Sequence, residues 1–238
     1  MVEEANFCPS KEAIMKPILQ LPPMTCQRVR EIDRMAMDQF QMPGIVLMEN
    51  AGRGAAECMD QIAPEGSVLI LCGKGNNGGD GFAIARHLQL AGREVTILAM
   101  APTDELQGDA LIQANITKAA GIEIQVLGEA PAKECLPIAD IIVDGLLGTG
   151  AKPPLRGRYV DVVEAANASS VRRIALDIPT GMSGDTGETG EPTFQADHTL
   201  TFAAPKIGFA KRDADRFTGE VHVISIGAPL ALLRQFSV

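Results

Sequence analysis

Three polar segments of the sequence contain residue types that could do chemistry, and each follows a short apolar run. They are GKGNNGGDG from Gly73, DGLLGTGAKPPLRG from Asp144 and DIPTGMSGDTG from Asp177. Their amides, carboxylates and hydroxyls are hydrogen-bonding groups and hard oxygen ligands. Side chains of these types could bind a polar small molecule, ligate a cation and, through the carboxylates, transfer protons.

The first segment has the glycine pattern of a dinucleotide-binding loop but departs from it at an acidic residue. Gly73, Gly75 and Gly78 satisfy G-x-G-x-x-G between a predicted strand and a predicted helix. Asp80, however, lies at the predicted helix start, where its charge would repel a phosphate in a pocket of low dielectric. After the next predicted strand, no acid that could hold a ribose occurs before Asp104. The segment therefore suits hydroxyl groups, an amide or a cation; the alternative is a simple turn in which Asp80 caps the helix.

A cation site could form where the three segments meet. Asp144 and Asp177 each end a predicted strand, so both carboxylates would lie at one edge of a parallel sheet, with Asn77 opposite. The Thr180 hydroxyl follows one turn later. One carboxylate in contact among several neutral oxygens favours a monovalent ion over Mg²⁺. For Asp144 or Asp177 alone, capping of the following turn is an equal alternative.

The second and third segments continue into loops that we interpret differently. Between Gly148 and Gly157, glycine amides together with Lys152 and Arg156 could hold the phosphates that the first segment rejects. The alternative is a solvated basic loop. Ser183–Pro192, SGDTGETGEP, is interpreted as a mobile surface loop, or a lid, without ligands.

The composition disfavours several classes of function. The formal net charge of −9 argues against binding to nucleic acid or an anionic membrane, and no apolar run is long enough for a signal peptide or a membrane span. The five cysteines form no C-x-x-C pair, which predicts reduced thiols and a cytoplasmic location. No G-x-S-x-G, Walker A or H-E-x-x-H motif occurs. We interpret the three histidines as packed or exposed side chains: His87, His198 and His222.

Alternating strands and helices must position these segments. Runs such as VLIL and VTIL are apolar on consecutive residues, which is typical of strands buried on both faces of a parallel sheet with helices on either side. The predicted strands are Ser67–Cys72, Glu94–Ala99, Ile122–Leu127, Asp140–Asp144 and Arg172–Asp177. Two later runs, His198–Ala203 and Glu220–Ile226, are joined by a polar segment without helical periodicity, and we expect them to form a hairpin-like or meandering edge.

The N-terminal part of the chain divides into an arm and two helices. Residues 1–24 contain four prolines and no sustained periodicity, so they predict an extended arm, followed by a single domain over residues 25–238. Apolar residues recur at helical spacing behind Thr25, which predicts an N-cap there and a helix to about Gln41. A second helix is predicted over about Val46 to Ile62.

Five ordered motifs resemble a known family. GIVLMENAGRGAAE, GKGNNGGDGFAIARHL, VDGLLGTGAKPPLRG, ALDIPTGMSGDTG and ADHTLTFAAPKIGF are similar, in order and spacing, to the YjeF N-terminal family, the NAD(P)H-hydrate epimerases. The resemblance runs from about Thr25 to Ile226. It implies a Rossmann-like, three-layer αβα sandwich that interconverts the R and S epimers of NADHX and NADPHX, which are hydrated and damaged forms of the reduced nicotinamide cofactors. It also implies a homodimer. Many members carry a dehydratase domain on the same chain; here we expect a separate ADP- or ATP-dependent NAD(P)HX dehydratase as the pathway partner.

The resemblance also assigns site residues by motif. It implies one K⁺ per subunit, held by Asn77, Asp144 and Thr180. It places the substrate against Asn76, Asn77, Gly78, Gly79, Asp80, Gly148, Thr149, Gly150, Ala151, Lys152, Pro153, Pro154 and Asp177. Epimerisation needs a proton donor and acceptor, for which we choose Asp177 first and Asp80 second. The alternatives are a non-catalytic nucleotide-binding or protein-interaction module of the same fold and, more remotely, a conventional NAD(P) oxidoreductase.

Overall fold

Residues 19–237, which the computed structural model describes, form one parallel sheet covered by helices on both faces. The strands are β1 (Val68–Cys72), β2 (Val95–Ala99), β3 (Glu123–Val126), β4 (Ile141–Gly145), β5 (Arg172–Leu176), β6 (His198–Phe202) and β7 (Glu220–Ile224). The α-helices are α1 (Cys26–Phe40), α2 (Gly44–Ile62), α3 (Asn76–Leu90), α4 (Gly108–Ala119), α5 (Ala132–Cys135), α6 (Arg158–Ala168), α7 (Asp215–Thr218) and α8 (Leu230–Leu233). Short 3₁₀ helices cover Thr103–Glu105, Ile207–Ala210 and Arg234–Phe236.

The central strands are buried on both faces, which confirms the prediction from their apolar runs. Every residue of β1 and of β4 is buried. On β1, Val68 and Ile70 pack into the core shared with α1–α4, whereas Leu69 and Leu71 pack with α5 and α6 on the opposite face. The protein is therefore a three-layer α/β sandwich.

The strand order places a crevice at the carboxyl ends of β1 and β4. The order is β3-β2-β1-β4-β5-β6-β7, and β1 pairs in parallel with both β2 and β4. The chain leaves β1 toward β2 on one side and returns through β4 on the other, so the connections diverge between these two strands. This topological switch point is where open parallel sheets bind ligands.

The prediction of a hairpin-like edge was wrong. Strand β6 pairs in parallel with β7, in register from His198↔Glu220 to Phe202↔Ile224, so all pairings of the described sheet are parallel. A parallel pair needs a crossover that returns the chain to the opposite end of the sheet. The 3₁₀ helix Ile207–Ala210 and the one-turn helix α7 supply it, and both are too short to leave a helical period in the sequence.

Residues 1–18 of the predicted arm lie outside the described residues, but its last residues pack against the sheet. Leu21 and Met24 are buried in the core. The Met24 amide donates to Pro205 O at 2.8 Å, and the Ile207 amide donates to Met24 O at 2.9 Å.

The first two helices follow their predictions closely. Thr25 caps α1, because its hydroxyl accepts a hydrogen bond from the Arg28 amide, and the helix ends at Phe40 with Gln41 in the left-handed region. Helix α2 begins at Gly44, directly after Pro43 and two residues earlier than predicted. Among the described helices, none is both long and apolar enough to cross a membrane.

Candidate functional site

The first polar segment forms the start of α3 and approaches its neighbours closely. The Gly79 amide donates to Gly75 O at 3.1 Å as the helix begins. A Cβ on Gly78 would lie 2.0 Å from the Gly73 carbonyl oxygen, so only glycine allows this contact. The sequence had indicated that Asp80 lies at the start of the helix. Because α3 begins at Asn76, Asp80 instead lies in its second turn, and that prediction was wrong. The helix dipole acts mainly within the first turn, so it does not anchor the Asp80 carboxylate.

The three polar segments converge at Gly148. A Cβ built on this residue would lie 3.3 Å from both Asn77 Cγ and Asp177 Oδ2. These atoms come from the segments after β1, β4 and β5, which confirms that the segments meet at one sheet edge. A cleft of roughly 610 Å³ opens here, within the usual range of about 300–1,000 Å³ for ligand pockets.

Most of the predicted substrate residues line this cleft. Those on its wall are Asn76, Asn77, Asp80, Gly148, Thr149, Gly150, Ala151 and Asp177. Gly78 and Gly79 are buried within α3, and Lys152, Pro153 and Pro154 continue the loop beyond the wall, with Lys152 and Pro154 exposed. The structure therefore brings the two asparagines and the two acids together but leaves the basic end of the loop at the periphery.

Beneath the cleft lies a buried cluster of oxygen atoms. Asp144 and Thr180 are buried, and the Thr180 amide and hydroxyl both donate to the Asp144 carboxylate at 2.8 Å. Leu147 O lies 3.1 Å from Asn77 Nδ2 and 3.4 Å from Thr180 Oγ1. Burial raises the pKa of Asp144 to about 6, although hydrogen bonds from Thr180 and Leu146 oppose the shift.

This cluster has the donor set of a monovalent-cation site. Within residues 19–237, the buried Asn77 Oδ1 has no hydrogen-bond partner, and an unpaired buried acceptor is costly unless something binds it. One carboxylate, one amide oxygen, one hydroxyl and the Leu147 carbonyl offer hard oxygen ligands with a single formal negative charge. The residues predicted to hold the ion, Asn77, Asp144 and Thr180, are thus adjacent to one another.

Lys206 is a site residue that the sequence analysis missed. Its side chain is fully buried, and Nζ donates to Asp177 Oδ1 at 2.5 Å. The same ammonium also donates to Thr201 Oγ1 at 2.8 Å, Phe202 O at 3.0 Å and Ala204 O at 3.2 Å. Asp177 has a φ of 63°, in the left-handed region that few residues other than glycine, asparagine and aspartate adopt. The ion pair with Lys206 fixes the carboxylate that this backbone conformation presents to the cleft.

Asp33 is a second missed residue, and it stands with Asp80 as a pair of perturbed carboxyls. Burial, and then the nearby Asp177 carboxylate, raise the pKa of Asp33 to about 6, although the Lys206 ammonium opposes the shift. Burial also raises the pKa of Asp80 well above its ordinary value, with smaller contributions from Asp177 and Asp33 and opposition from Lys206. Both side chains line the cleft. Carboxyls with raised pKa in a cleft are typical of proton-transfer sites.

Helix α1 closes one side of the cleft. Its Arg30 guanidinium donates to Thr149 O at 2.9 Å, which connects the helix to the loop after β4. Val29 and Leu47 add apolar wall, and Tyr159 lies on the same lining surface. The site therefore combines a polar floor with apolar sides, as small-molecule sites commonly do.

The remaining predicted features do not line the cleft. In the Ser183–Pro192 segment, Gly184 is buried and Asp185 Oδ1 accepts from the Cys26 amide at 2.6 Å, so this segment is tied to α1. His87 of α3 lies 2.9 Å from the carboxylate of Glu49, which belongs to α2. None of these residues lines the cleft.

Comparison with known proteins identifies the family. A model described as YjeF-related protein N-terminus matches residues 44–208, which is more than half of the 238-residue chain. The chain belongs to this family. The match includes the glycine-rich start of α3, the loop after β4, Asp177 and Lys206, whereas Asp33 precedes it.

Relatives within the YjeF family cover most of the chain. A Rhodopirellula baltica protein named NAD(P)H-hydrate epimerase is 79% identical over 227 residues, which are 95% of this chain and 93% of that protein. The Moorella thermoacetica protein named bifunctional NAD(P)H-hydrate repair enzyme Nnr is 37% identical over 88% of this chain but only 41% of its own length. The crystal structure of yeast ynu0 has a TM-score of 0.75 at 24% identity, over 92% of this chain and 94% of that chain, and it shows the fold alone.

Proposed function

We propose that this protein is an NAD(P)H-hydrate epimerase that interconverts the R and S epimers of NADHX and NADPHX. The observation that carries the proposal is the arrangement of carboxyls in the cleft. One of them, Asp177, is ion-paired with buried Lys206, and a second, Asp80, has a pKa raised chiefly by burial. The name of the Rhodopirellula baltica relative, at 79% identity, supports the same reaction.

The two carboxyls have complementary roles in this reaction. Epimerisation at the hydroxyl-bearing carbon requires the C–O bond to break and re-form, or the ring to open and close, and either route needs a proton donor and a proton acceptor. As the anionic member of the ion pair, Asp177 accepts the proton. Asp80, whose raised pKa favours the protonated form, donates one. Asp33 acts through Asp80, because its charge helps to raise the Asp80 pKa.

The nicotinamide end of the substrate lies over Asn77 and Asp80 in this proposal. Two asparagines and an acid suit a hydroxyl and an amide, and none of the three supplies the positive charge that favours a phosphate. The pyrophosphate extends along Gly148–Pro154, where Gly148 to Ala151 line the cleft and Lys152 is exposed at the periphery. This orientation accounts for an acid in a glycine-rich loop of the dinucleotide-binding type.

Potassium completes the floor of the site. Asn77, Asp144 and Thr180 would hold the ion, with Leu147 O as a backbone ligand. A bound K⁺ supplies positive charge that stabilises buried Asp144 and the oxygen-rich floor. What the protein itself contributes is rigidity: the Leu147 amide donates to Thr180 Oγ1 at 3.1 Å, and the Leu146 amide donates to Asp144 Oδ1 at 3.1 Å.

The proposal includes a homodimer, a cytoplasmic location and a separate dehydratase. Phe40 and Val46 expose apolar side chains where α1 meets α2, a surface that a second copy of the chain would cover. Cys26, Cys58, Cys72 and Cys135 are unpaired thiols, in keeping with a reducing compartment. The Moorella relative is named bifunctional and is more than twice as long as the segment matched, which supports an ADP- or ATP-dependent dehydratase as the pathway partner of the epimerase.

A coupled assay tests the epimerase activity. An S-specific dehydratase rapidly consumes only the S epimer, which is half of a racemic NADHX pool. Addition of this protein should allow the dehydratase to consume the whole pool. Consumption should be faster with K⁺ than without it. Asp177→Asn should abolish the effect, whereas Asp197→Asn, an exposed acid outside the cleft, should retain it. If substrate binds and the R epimer persists even with K⁺, the protein is a non-catalytic binding module and the proposal fails.

A further inference from the structure

Two histidines and a glutamate cluster on strands β6 and β7, at the end of the sheet opposite the cleft. His198 and Glu220 are the first residues of β6 and β7 and are paired in register, and His222 follows two residues along β7. Because side chains alternate along a strand, all three lie on the same face. Neither the polar segments nor the cleft includes them.

The atoms of this cluster are spaced as ligands of one ion. His198 Nδ1 and His222 Nε2 lie 3.2 Å apart. Two imidazole nitrogens at about 2.0–2.1 Å from a tetrahedral zinc ion would be about 3.3 Å apart. The Glu220 carboxylate offers one oxygen to each ring, 3.8 Å from His198 Nδ1 and 3.9 Å from His222 Nε2. Its side chain is 70% exposed, so it can swing inward to complete the coordination.

We propose that His198, Glu220 and His222 form a Zn²⁺ site that joins the edge strand β7 to β6. Two imidazoles and one carboxylate select a transition metal over Mg²⁺ or Ca²⁺, which prefer oxygen ligands. The fourth position remains for water.

The position of the site defines its role. Both rings are largely buried, with 19% and 20% of their side-chain surfaces exposed, so the imidazoles are already held in place. One ligand comes from β6 and two come from β7, so bound zinc holds the outermost strand to the sheet. Since only the folded chain presents these three groups together, zinc stabilises the folded state. The catalytic cleft lies beyond the other ends of the strands and does not need the ion.

Zinc titration of the full-length protein tests the proposal. We expect one Zn²⁺ per chain by isothermal titration calorimetry, and a thermal midpoint that rises with Zn²⁺ concentration. Glu220→Gln alters an exposed side chain and should fold normally, yet it should weaken binding by about tenfold or more, since even outer-sphere partners of a metal contribute ~10–100-fold. His198→Gln and His222→Gln should abolish binding. The matched control is His87→Gln, which removes another histidine paired with a glutamate and should leave binding unchanged.

The epimerase assay distinguishes loss of zinc binding from loss of folding. All of these variants should retain the parent activity without zinc, which shows that they are folded. The proposal is overturned if the parent protein binds no stoichiometric Zn²⁺, or if Glu220→Gln and the two cluster histidine variants bind it as tightly as the parent does. Either result would assign the 3.2 Å contact to a hydrogen bond between the two imidazoles.

Discussion

Replacement of Lys206 by methionine tests whether a buried ion pair holds the reacting carboxylate. Methionine fills nearly the same space but removes the ammonium from a side chain that is fully buried. The substitution leaves Asp177 without its charged partner and removes the donor from Thr201 Oγ1 and two backbone carbonyls. Removal of one member of a buried pair costs about 3–5 kcal/mol.

The exposure of each side chain indicates which of the two substitutions, Lys206→Met or Asp177→Asn, should cost more free energy of unfolding. The Asp177 side chain is 10% exposed and lines the cleft, so in Lys206→Met its charge can still reach water, and we expect a cost near 3 kcal/mol. In Asp177→Asn the Lys206 ammonium stays fully buried among neutral oxygens, so we expect a cost near 5 kcal/mol. The double variant buries no unpaired charge. It should therefore be more stable than Asp177→Asn alone.

Urea unfolding of the two single variants and the double variant, followed by circular dichroism, measures these differences. The decisive result is whether the double variant is more stable than Asp177→Asn alone. A positioning role for Lys206 requires the two residues to be energetically coupled, so that the losses of the single variants do not add. Epimerisation by Lys206→Met should also fall in kcat more than it changes KM, because the carboxylate is misplaced while the substrate contacts remain. If the double variant loses the sum of the two single losses, or if Lys206→Met keeps full kcat, the reasoning is wrong.

Three further substitutions test other parts of the structure. Asp33→Asn removes a charge that helps to raise the Asp80 pKa, so the alkaline limb of the kcat/KM profile should move to lower pH; a limb that stays in place or moves upward would exclude this coupling. Thr180→Val removes a proposed ligand and should abolish activation by K⁺ in rate measurements, whereas Thr199→Val, which removes another buried hydroxyl, should preserve it. Thr25→Ala removes the cap of α1 and should lower the free energy of unfolding by about 1 kcal/mol, as measured in urea; an unchanged midpoint would contradict the cap.

The sequence predicted the parts of the fold that follow a repeating rule. Consecutive apolar residues in VLIL indicated a strand buried on both faces, and β1 is buried throughout. Polar residues at the carboxyl ends of parallel strands must meet at one edge, and Asn77, Gly148 and Asp177 do so. The crossover between β6 and β7 could not be predicted in this way, because short helical turns have no period to recognise.

The missed site residues each carried a weaker signal. Asp33 lies four residues after Val29 and three before Ala36, both buried, so it occupies the inner face of α1, where an acid is unusual. Lys206 interrupts the largely apolar run FAAPKIGFA, and a lysine there is costly unless it is paired. In both cases the partner, Asp177, is distant in sequence. Only the tertiary structure therefore shows what these charges do.

The pairing of Met24 with residues 205–207 has a consequence for synthesis of the chain. The first described backbone partners are separated by roughly 180 residues, and ribosomes add about 5–20 residues per second. The residues that pair with Met24 are therefore synthesised on the order of 10–40 s after it. During that time Val29 and Ile32, buried in the finished fold, remain without their final neighbours. Until then, the apolar side chains of α1 are open to aggregation and to capture by chaperones.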